Sequence, residues 1–414
     1  MVAQSFIIAG AGIGGLAAAL GLSREGFNVI VLERAPVLGE IGAGIQLGPN
    51  AFHAFDHLGI GEQTRKMAVH IDKLRLMDAL SADEIANIPL GEAFRKRFGA
   101  PYAVIHRGDL HGVFLRACLA DPMISVRVNS EVEEYSRYSD GVSVRLVTGD
   151  VVEGVALIGA DGIASAVRRQ LVGDSEPRSS GHTTYRSVIP TEQMPEELRW
   201  NAATLWAGPK CHIVHYPLSG WKSFNLVVTS QNGATEAVAG VSVETDLVRA
   251  QFAHVSPRAQ EIIKHGTNWK AWVLCDRDPV DNWVDGNVAL LGDAAHPMLQ
   301  YFAQGACMAV EDAVALAQSL ALHRDDIAGG LQLYQSLRLV RTGRVQLQSR
   351  EIGQHIYHPA GAHAKIRNNL MGAKSAEQWY DVLSWLYDGD PLTAQLIAKS
   401  RGLSAHSWQD IANG

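Results

Sequence analysis

The sequence predicts an α/β fold: a parallel sheet flanked by helices, interrupted by a second, mixed sheet and followed by a helical tail. Three observations carry this expectation. Within the first 33 residues, a short apolar run, a glycine-rich turn, an alanine-rich segment and a second apolar run follow one another. Two later segments, 157–162 and 288–293, again end an apolar run on a glycine and an aspartate. Between them, residues 208–228 contain the two-residue alternation of a half-buried strand.

Taken in order, Phe6-Ile7-Ile8-Ala9 reads as a buried strand running into Gly10-x-Gly12-x-x-Gly15. Leu16, Leu20 and Leu22 mark a helix that Gly26 ends, and Phe27 to Leu32 is a second strand closed by Glu33. This is a complete Rossmann-like βαβ unit. Gly10 permits the tight turn, Gly12 lets the backbone approach a pyrophosphate, and Gly15 lets helix and strand pack closely. The helix N-terminus offers free N–H groups and partial positive charge to the phosphates. Glu33 stands where a carboxylate accepts bonds from ribose hydroxyls. The motif alone does not separate FAD from NAD.

Further along, "VIHRGDLHGVFL" puts Arg107 between a strand and a helix, with Asp109 as an N-terminal helix residue. "LIGADGIASAVRRQL" turns at Asp161, and by itself is a structural Asp-Gly turn before a basic helix face. "NVALLGDAAHPMLQYFAQGACMAVEDAVALAQSL" runs from a strand through Asp293 and Pro297 into a helix over 308–322. In parallel α/β sheets ligands bind at the carboxyl ends of strands, so Asp293 is placed to hold sugar or ribityl hydroxyls. The start of that helix, near Gly305 and Ala306, presents a second positive dipole end. Only one glycine-rich dinucleotide loop is present.

On the 208–228 stretch His212, Val214 and Tyr216 share one face, and Cys211 turns to the core. Tyr102, His212, Tyr216 and Gln300 form a candidate polar cluster in an otherwise apolar pocket, suited to a planar aromatic acid bearing a phenol. The pairs and clusters of histidine at 53/57 and 355/358/363 read as solvated or satisfied rather than as metal ligands. The basic run "GEAFRKRFG" (91–99) reads as a solvated loop, with an approach surface for NAD(P)H phosphates as the lesser reading.

The expected division is a nucleotide-binding domain over 1–75, 100–180 and 277–355, a substrate domain over 76–99 and 181–276, and a helical C-terminal region over 356–414. In that tail Trp379, Leu383, Leu386 and Tyr387 fall on one side, ready to pack on the body or on a second copy. At 414 residues with 47% hydrophobic content, the chain suffices for two domains and a core. A net charge of −7 argues against nucleic-acid binding. No uninterrupted apolar run reaches the roughly 18 residues of a membrane helix. Residues 1–4 lack the basic segment of a secretory signal. Cys118, Cys211, Cys275 and Cys307 form no CxxC, which fits a reducing cytoplasm without disulfides.

Gly10-x-Gly12-x-x-Gly15 with Glu33, Arg107 in "HRGDL", "GADG" at 159–162 and "LLGDAAHPM" at 290–298 together resemble the single-component FAD aromatic hydroxylases, the family of para-hydroxybenzoate hydroxylase and salicylate hydroxylase. The resemblance spans about 5–350. It implies a para-hydroxybenzoate hydroxylase-like FAD domain, NAD(P)H as co-substrate without its own domain, and hydroxylation by O2 through a flavin C4a-hydroperoxide. It further implies that Gly12 and Gly15 touch the FAD pyrophosphate and Glu33 the adenosine ribose, while Arg34 and Arg107 lie along phosphate and ribose. By the same resemblance Asp161 mainly supports the shared cofactor motif, Asp293 binds the ribityl chain and Pro297 lines the reactive face. The helix at Gly305 then points at the flavin N1–C2=O edge, where reduced flavin carries charge.

Within the family, "GPKCHIVHYPL", "HPMLQY" and "GEAFRKRFGAPYAVIHRGDLH" most resemble the 3-hydroxybenzoate 6-hydroxylase branch. There His212 and Gln300 would bond the phenol and act in catalysis, with Tyr216 at the carboxylate side or ring edge and Tyr102 across the pocket. The salicylate hydroxylase and 6-hydroxynicotinate 3-monooxygenase branches have similar motifs. The other readings are an NAD-dependent dehydrogenase and a flavin-binding redox sensor without hydroxylase activity.

Overall fold

Ser5–Ala9 is buried at every position and forms a central strand, as an unbroken apolar run should when helices cover both faces of a sheet. The computed structural model describes residues 5–39 and 44–400. Residues 1–4, on which the reading of the N-terminus rests, and the end of the expected tail, 401–414, lie outside them. The six-stranded sheet runs Val284–Asp285, Val288–Leu290, Ala156–Gly159, Ser5–Ala9, Asn28–Leu32, Ile124–Arg127. All neighbours are parallel except the first pair. From Ser5–Ala9 the chain passes first to Asn28–Leu32 on one side and much later to Ala156–Gly159 on the other. A crevice therefore opens at the carboxyl ends of these strands, where doubly wound sheets bind ligands.

Helix Ile13–Arg24 follows the first strand, with ten of its twelve residues buried. It packs on helix Gly305–Leu322, which begins three residues before the start expected from sequence. By length and composition this second helix is apolar enough to cross a membrane, and 78% of it is buried inside the protein. Its apolar run is interrupted by Glu311 and Asp312, both buried.

The second sheet has eight strands: Ala239–Ser242, Lys270–Asp276, Arg178–Pro190, Ser223–Ala234, Cys211–Leu218, Ala202–Gly208, Lys73–Asp78, Glu84–Pro89. One face packs on helices Thr245–Gln251 and Pro257–Lys264 through Cys211, Ile213, Phe224, Val248, Phe252 and Ile262. The opposite face, carrying His212, Val214 and Tyr216, looks toward the crevice of the first sheet.

Residues 91–99 depart from the solvated loop expected of them. Glu92–Phe98 is a helix capped by Gly99 in the left-handed region (φ 70°). Phe94 and Phe98, four apart, are fully buried against Tyr380 and Tyr387 of helix Ala376–Tyr387. The run carries only one i,i+4 apolar pair, and that pair becomes a core contact only through aromatics some 290 residues away. Arg97 bonds Asp388 at 3.0 Å, so the tail packs on the body at this point.

Candidate active site

The glycine loop works through its backbone. Gly10 has φ 102°, and a Cβ there would fall 2.5 Å from the Ala160 carbonyl. A Cβ on Gly15 would lie 2.0 Å from the Gly10 carbonyl, so helix and strand approach as only glycine permits. A Cβ on Gly12 meets nothing within 4 Å, because this residue faces a cavity of about 330 Å³. Gly12 is also the N-cap of helix Ile13–Arg24 and has no side-chain cap, leaving first-turn amides for a ligand. Helix Gly305–Leu322 likewise begins without a side-chain cap, and Gly305 and Ala306 line the same cavity. Two helix N-termini thus bear on one space, the electrostatics a pyrophosphate and an anionic ring edge require.

The remaining cofactor candidates divide. Arg107 and Asp293 line the cavity. Glu33 accepts the amides of Ala11 and Ala35, each at 2.8 Å, which fixes its carboxylate beside the glycine loop, and Arg34 is exposed on the same turn. Asp161 does not reach the cavity. Its carboxylate takes the Ser165 hydroxyl and the Ala166 amide (2.8 Å), capping helix Ala166–Leu171, while Ala160 and Gly162 line the wall. Burial raises the Asp161 carboxyl and these hydrogen bonds oppose it. Pro297 is buried behind Met298 and Leu299, which do line the cavity, and its carbonyl accepts Gln346. A cradle open at Gly12, uncapped helix ends and a cavity-facing Asp293 and Arg107 fit a flavin dinucleotide.

A paired charge cluster holds the 292–297 turn. Asp312 accepts the Gly292 amide (3.1 Å), His296 (2.5 Å) and Arg338 (2.7 Å). Glu311 takes Arg338, Arg341 and Asn50. Burial would raise Asp312, yet His296 and Arg338 hold it down at about 2.

On the substrate side the sheet presents side chains in rows. Thr184, Thr229 and His212 stand abreast across three strands, and Arg186, Val227 and Val214 form the next row. Tyr216 follows beyond Val214 on its own strand. His212 Nδ1 is 2.8 Å from His358 Nε2, with the rings stacked at 5.1 Å. Tyr301, Tyr357 and His182 pack around this pair, and the Tyr301 hydroxyl bonds His182 Nδ1. Burial, then His358 and His182, push the His212 imidazole well below its ordinary range. Burial drives His358 to about 3. Both imidazoles are therefore neutral near pH 7. With Nδ1 engaged, Nε2 is the His212 atom left for a ligand.

Gln300 lines the cavity, but its amide nitrogen donates to Thr184 (3.0 Å) and Thr229 (3.2 Å), and its oxygen accepts from Arg186 (3.1 Å). Toward a phenol it has only a remaining oxygen lone pair, so it accepts rather than donates. Tyr102 stands behind the wall, donating to Gln46, which does line it. Sequence reasoning left out Gln46, Arg186 and Tyr357, and read His358 only as a solvated or satisfied histidine, whereas it bonds His212. Tyr357 ends a π-helical segment, Gly353–Tyr357, that follows helix Ile327–Ile352, and His358 caps it. A signal was present in "HIYHP", which gathers an aromatic ring and two imidazoles before a proline. Among the described residues no group of three or more His, Cys, Asp or Glu is placed to hold a metal ion.

A FAD-binding-domain family matches residues 4–345. 3-Hydroxybenzoate 6-hydroxylase 1 of Aquipseudomonas alcaligenes is 56% identical over 384 residues, 93% of this chain and 97% of that protein. The 3-hydroxybenzoate 6-hydroxylase of Polaromonas naphthalenivorans is 47% identical, covering 92% and 95%. Klebsiella pneumoniae HpxO, solved with FAD and uric acid, has a TM-score of 0.82 at 26% identity, covering 94% of this chain and 98% of that one.

Proposed function

The chain belongs to the family of that FAD-binding domain, and from this premise we propose that it is a single-component, FAD-dependent aromatic monooxygenase converting 3-hydroxybenzoate to 2,5-dihydroxybenzoate with NAD(P)H and O2. The observation that carries this reading is one continuous cavity, with two helix N-termini on one side and the His212–Tyr216 face on the other. FAD, when bound and reduced, supplies the activated oxygen.

The chain's own residues do the rest. Amides exposed at Gly12 hold the pyrophosphate, with Gly15 setting the helix close. Glu33 and Arg34 flank the adenosine ribose, and Arg107 and Asp293 hold the phosphate and ribityl chain. The helix end at Gly305 and Ala306 steadies the anionic ring edge, and Pro297 backs the wall of Met298 and Leu299.

His212 Nε2 accepts the phenolic proton. For that its own proton sits on Nδ1 and is donated to His358 Nε2, which sets the tautomers of both rings. Gln300, its amide hydrogens held by Thr184 and Thr229, lines the cavity beside the phenol without donating to it. Loss of the proton pushes electron density to the carbon para to the oxygen, which in 3-hydroxybenzoate is C6, the position oxidised. The apolar wall keeps water from the reacting centre. The four free cysteines fit action in a reducing cytoplasm.

The test is an oxygen-coupled NADH assay of the purified yellow protein with 3-hydroxybenzoate, salicylate and 6-hydroxynicotinate, identifying each product. The expected result is one 2,5-dihydroxybenzoate formed per NADH consumed. Hydrogen peroxide in place of product, or turnover of another acid only, would overturn the reading.

A further inference from the structure

Arg186 is the cation in the cavity that the reaction as described does not use. Strand Arg178–Pro190 places it one row from His212 and two strands across, so the two Cα positions are separated by about 7 Å along the strands and roughly 10 Å across them. Its guanidinium lines the cavity, lies over the Trp272 ring at 5.1 Å and donates one bond to Gln300. Its Nε is buried without a hydrogen-bond partner. Three buried arginines are paired with carboxylates: Arg168 reaches Asp174, and Arg338 and Arg341 reach Glu311. Among the described residues, Arg186 reaches no carboxylate. Burial lowers its affinity for its proton, Tyr216 opposes this, and Arg107 adds to it. A desolvated cation without a counter-ion is costly, and a carboxylate presented to its fork offsets that cost with charge-assisted bonds.

We propose that Arg186 is the carboxylate anchor of the cavity: it binds the acid group of the aromatic substrate while His212 takes the phenol, and so selects anionic over neutral phenols. This deepens the hydroxylase reading and rests on it. Gln300, bonded to Arg186 and facing the phenol position, then ties the two recognition points together. The two groups of a meta-hydroxybenzoate point in different directions from one ring, as these two side chains require.

The experiment measures binding by perturbation of the flavin spectrum, with 3-hydroxybenzoate and the uncharged 3-hydroxybenzamide, in wild type, Arg186→Met and Arg186→Lys. Arg186→Met is expected to weaken the acid by about 100-fold while leaving the amide within about threefold. Arg186→Lys should restore part of the acid affinity. Retention of the flavin band reports an intact fold, and Arg186→Gln, which keeps a donor for Gln300, makes the same comparison should Met unfold the protein. Equal weakening of acid and amide, or an unchanged acid affinity, would overturn the proposal. So would a wild-type protein that binds the amide as well as the acid. Failure of wild type to hydroxylate 3-hydroxybenzoate counts against the activity instead, and the benzoate–benzamide pair then reads Arg186 alone.

Discussion

Two of the buried polar clusters among the described residues are built on opposite terms. The first, Glu311, Asp312, Arg338, Arg341 and His296, ties helix Gly305–Leu322 to helix Ile327–Ile352 and to the 292–297 turn, and its charges are paired within the protein. The second, His182, His212, His358, Tyr301 and Tyr357, contains no paired charge, and burial keeps its imidazoles unprotonated. The contrast separates holding from reacting. Paired charges satisfy one another and fix a turn. Neutral imidazoles keep a lone pair for a proton that arrives with the substrate.

Breaking the charged cluster should have the largest effect. Arg338→Met leaves Glu311 and Asp312 short of a partner and should cost about 3–5 kcal/mol, read by denaturant unfolding, with loss of bound FAD. In the neutral cluster, His212→Ala should leave FAD binding and stability near wild type but lower hydroxylation by roughly 10²–10⁴-fold. Product formed per NADH measures this, and unchanged coupling would remove His212 from the chemistry. His358→Gln keeps an acceptor for His212 Nδ1 yet cannot take up a proton, and about a tenfold drop in product formation is expected for one altered hydrogen bond.

Acid should separate the clusters by pH. Below its ordinary value of 6.5, His358 in the unfolded chain binds a proton that the folded protein refuses down to about 3, so stability falls as pH drops through that window. Asp312, held at about 2 against 3.8, keeps its contribution above 3.8 and loses it only as pH falls below that. Melting temperature followed from about pH 7 to about pH 4.5 should decline. The decline should be shallower in His358→Gln, and an identical slope would contradict the assignment. Smallest of all, Tyr102→Phe removes the bond to Gln46 and should shift KM only a few-fold, about 0.5–1.5 kcal/mol.

The cofactor side of the cavity is legible in the chain because short segments build it. Ala11 and Glu33, which bond each other, are 22 residues apart. The roles of Gly10, Gly12 and Gly15 follow from one turn. The strand carrying His212, Val214 and Tyr216 is legible too, since alternation assigns a face without naming what lies opposite. His358 is not, because 146 residues separate it from His212 and only the closed fold brings the rings together. Gln300 shows the same limit: spacing puts it beside the cavity, but the hydroxyls of Thr184 and Thr229 decide that its amide hydrogens face away from a phenol.

The sequence by itself determined the parallel sheet, the glycine turn, the two helix ends and the strand that faces the crevice, because each depends on residues a few positions apart. Tertiary structure alone decided which imidazoles are neutral, that Arg186 meets Gln300 rather than a carboxylate, and where the amide hydrogens of Gln300 go. Those properties come from burial, and burial exists only once the second sheet, the 298–304 turn and the 353–358 segment have closed around the same space.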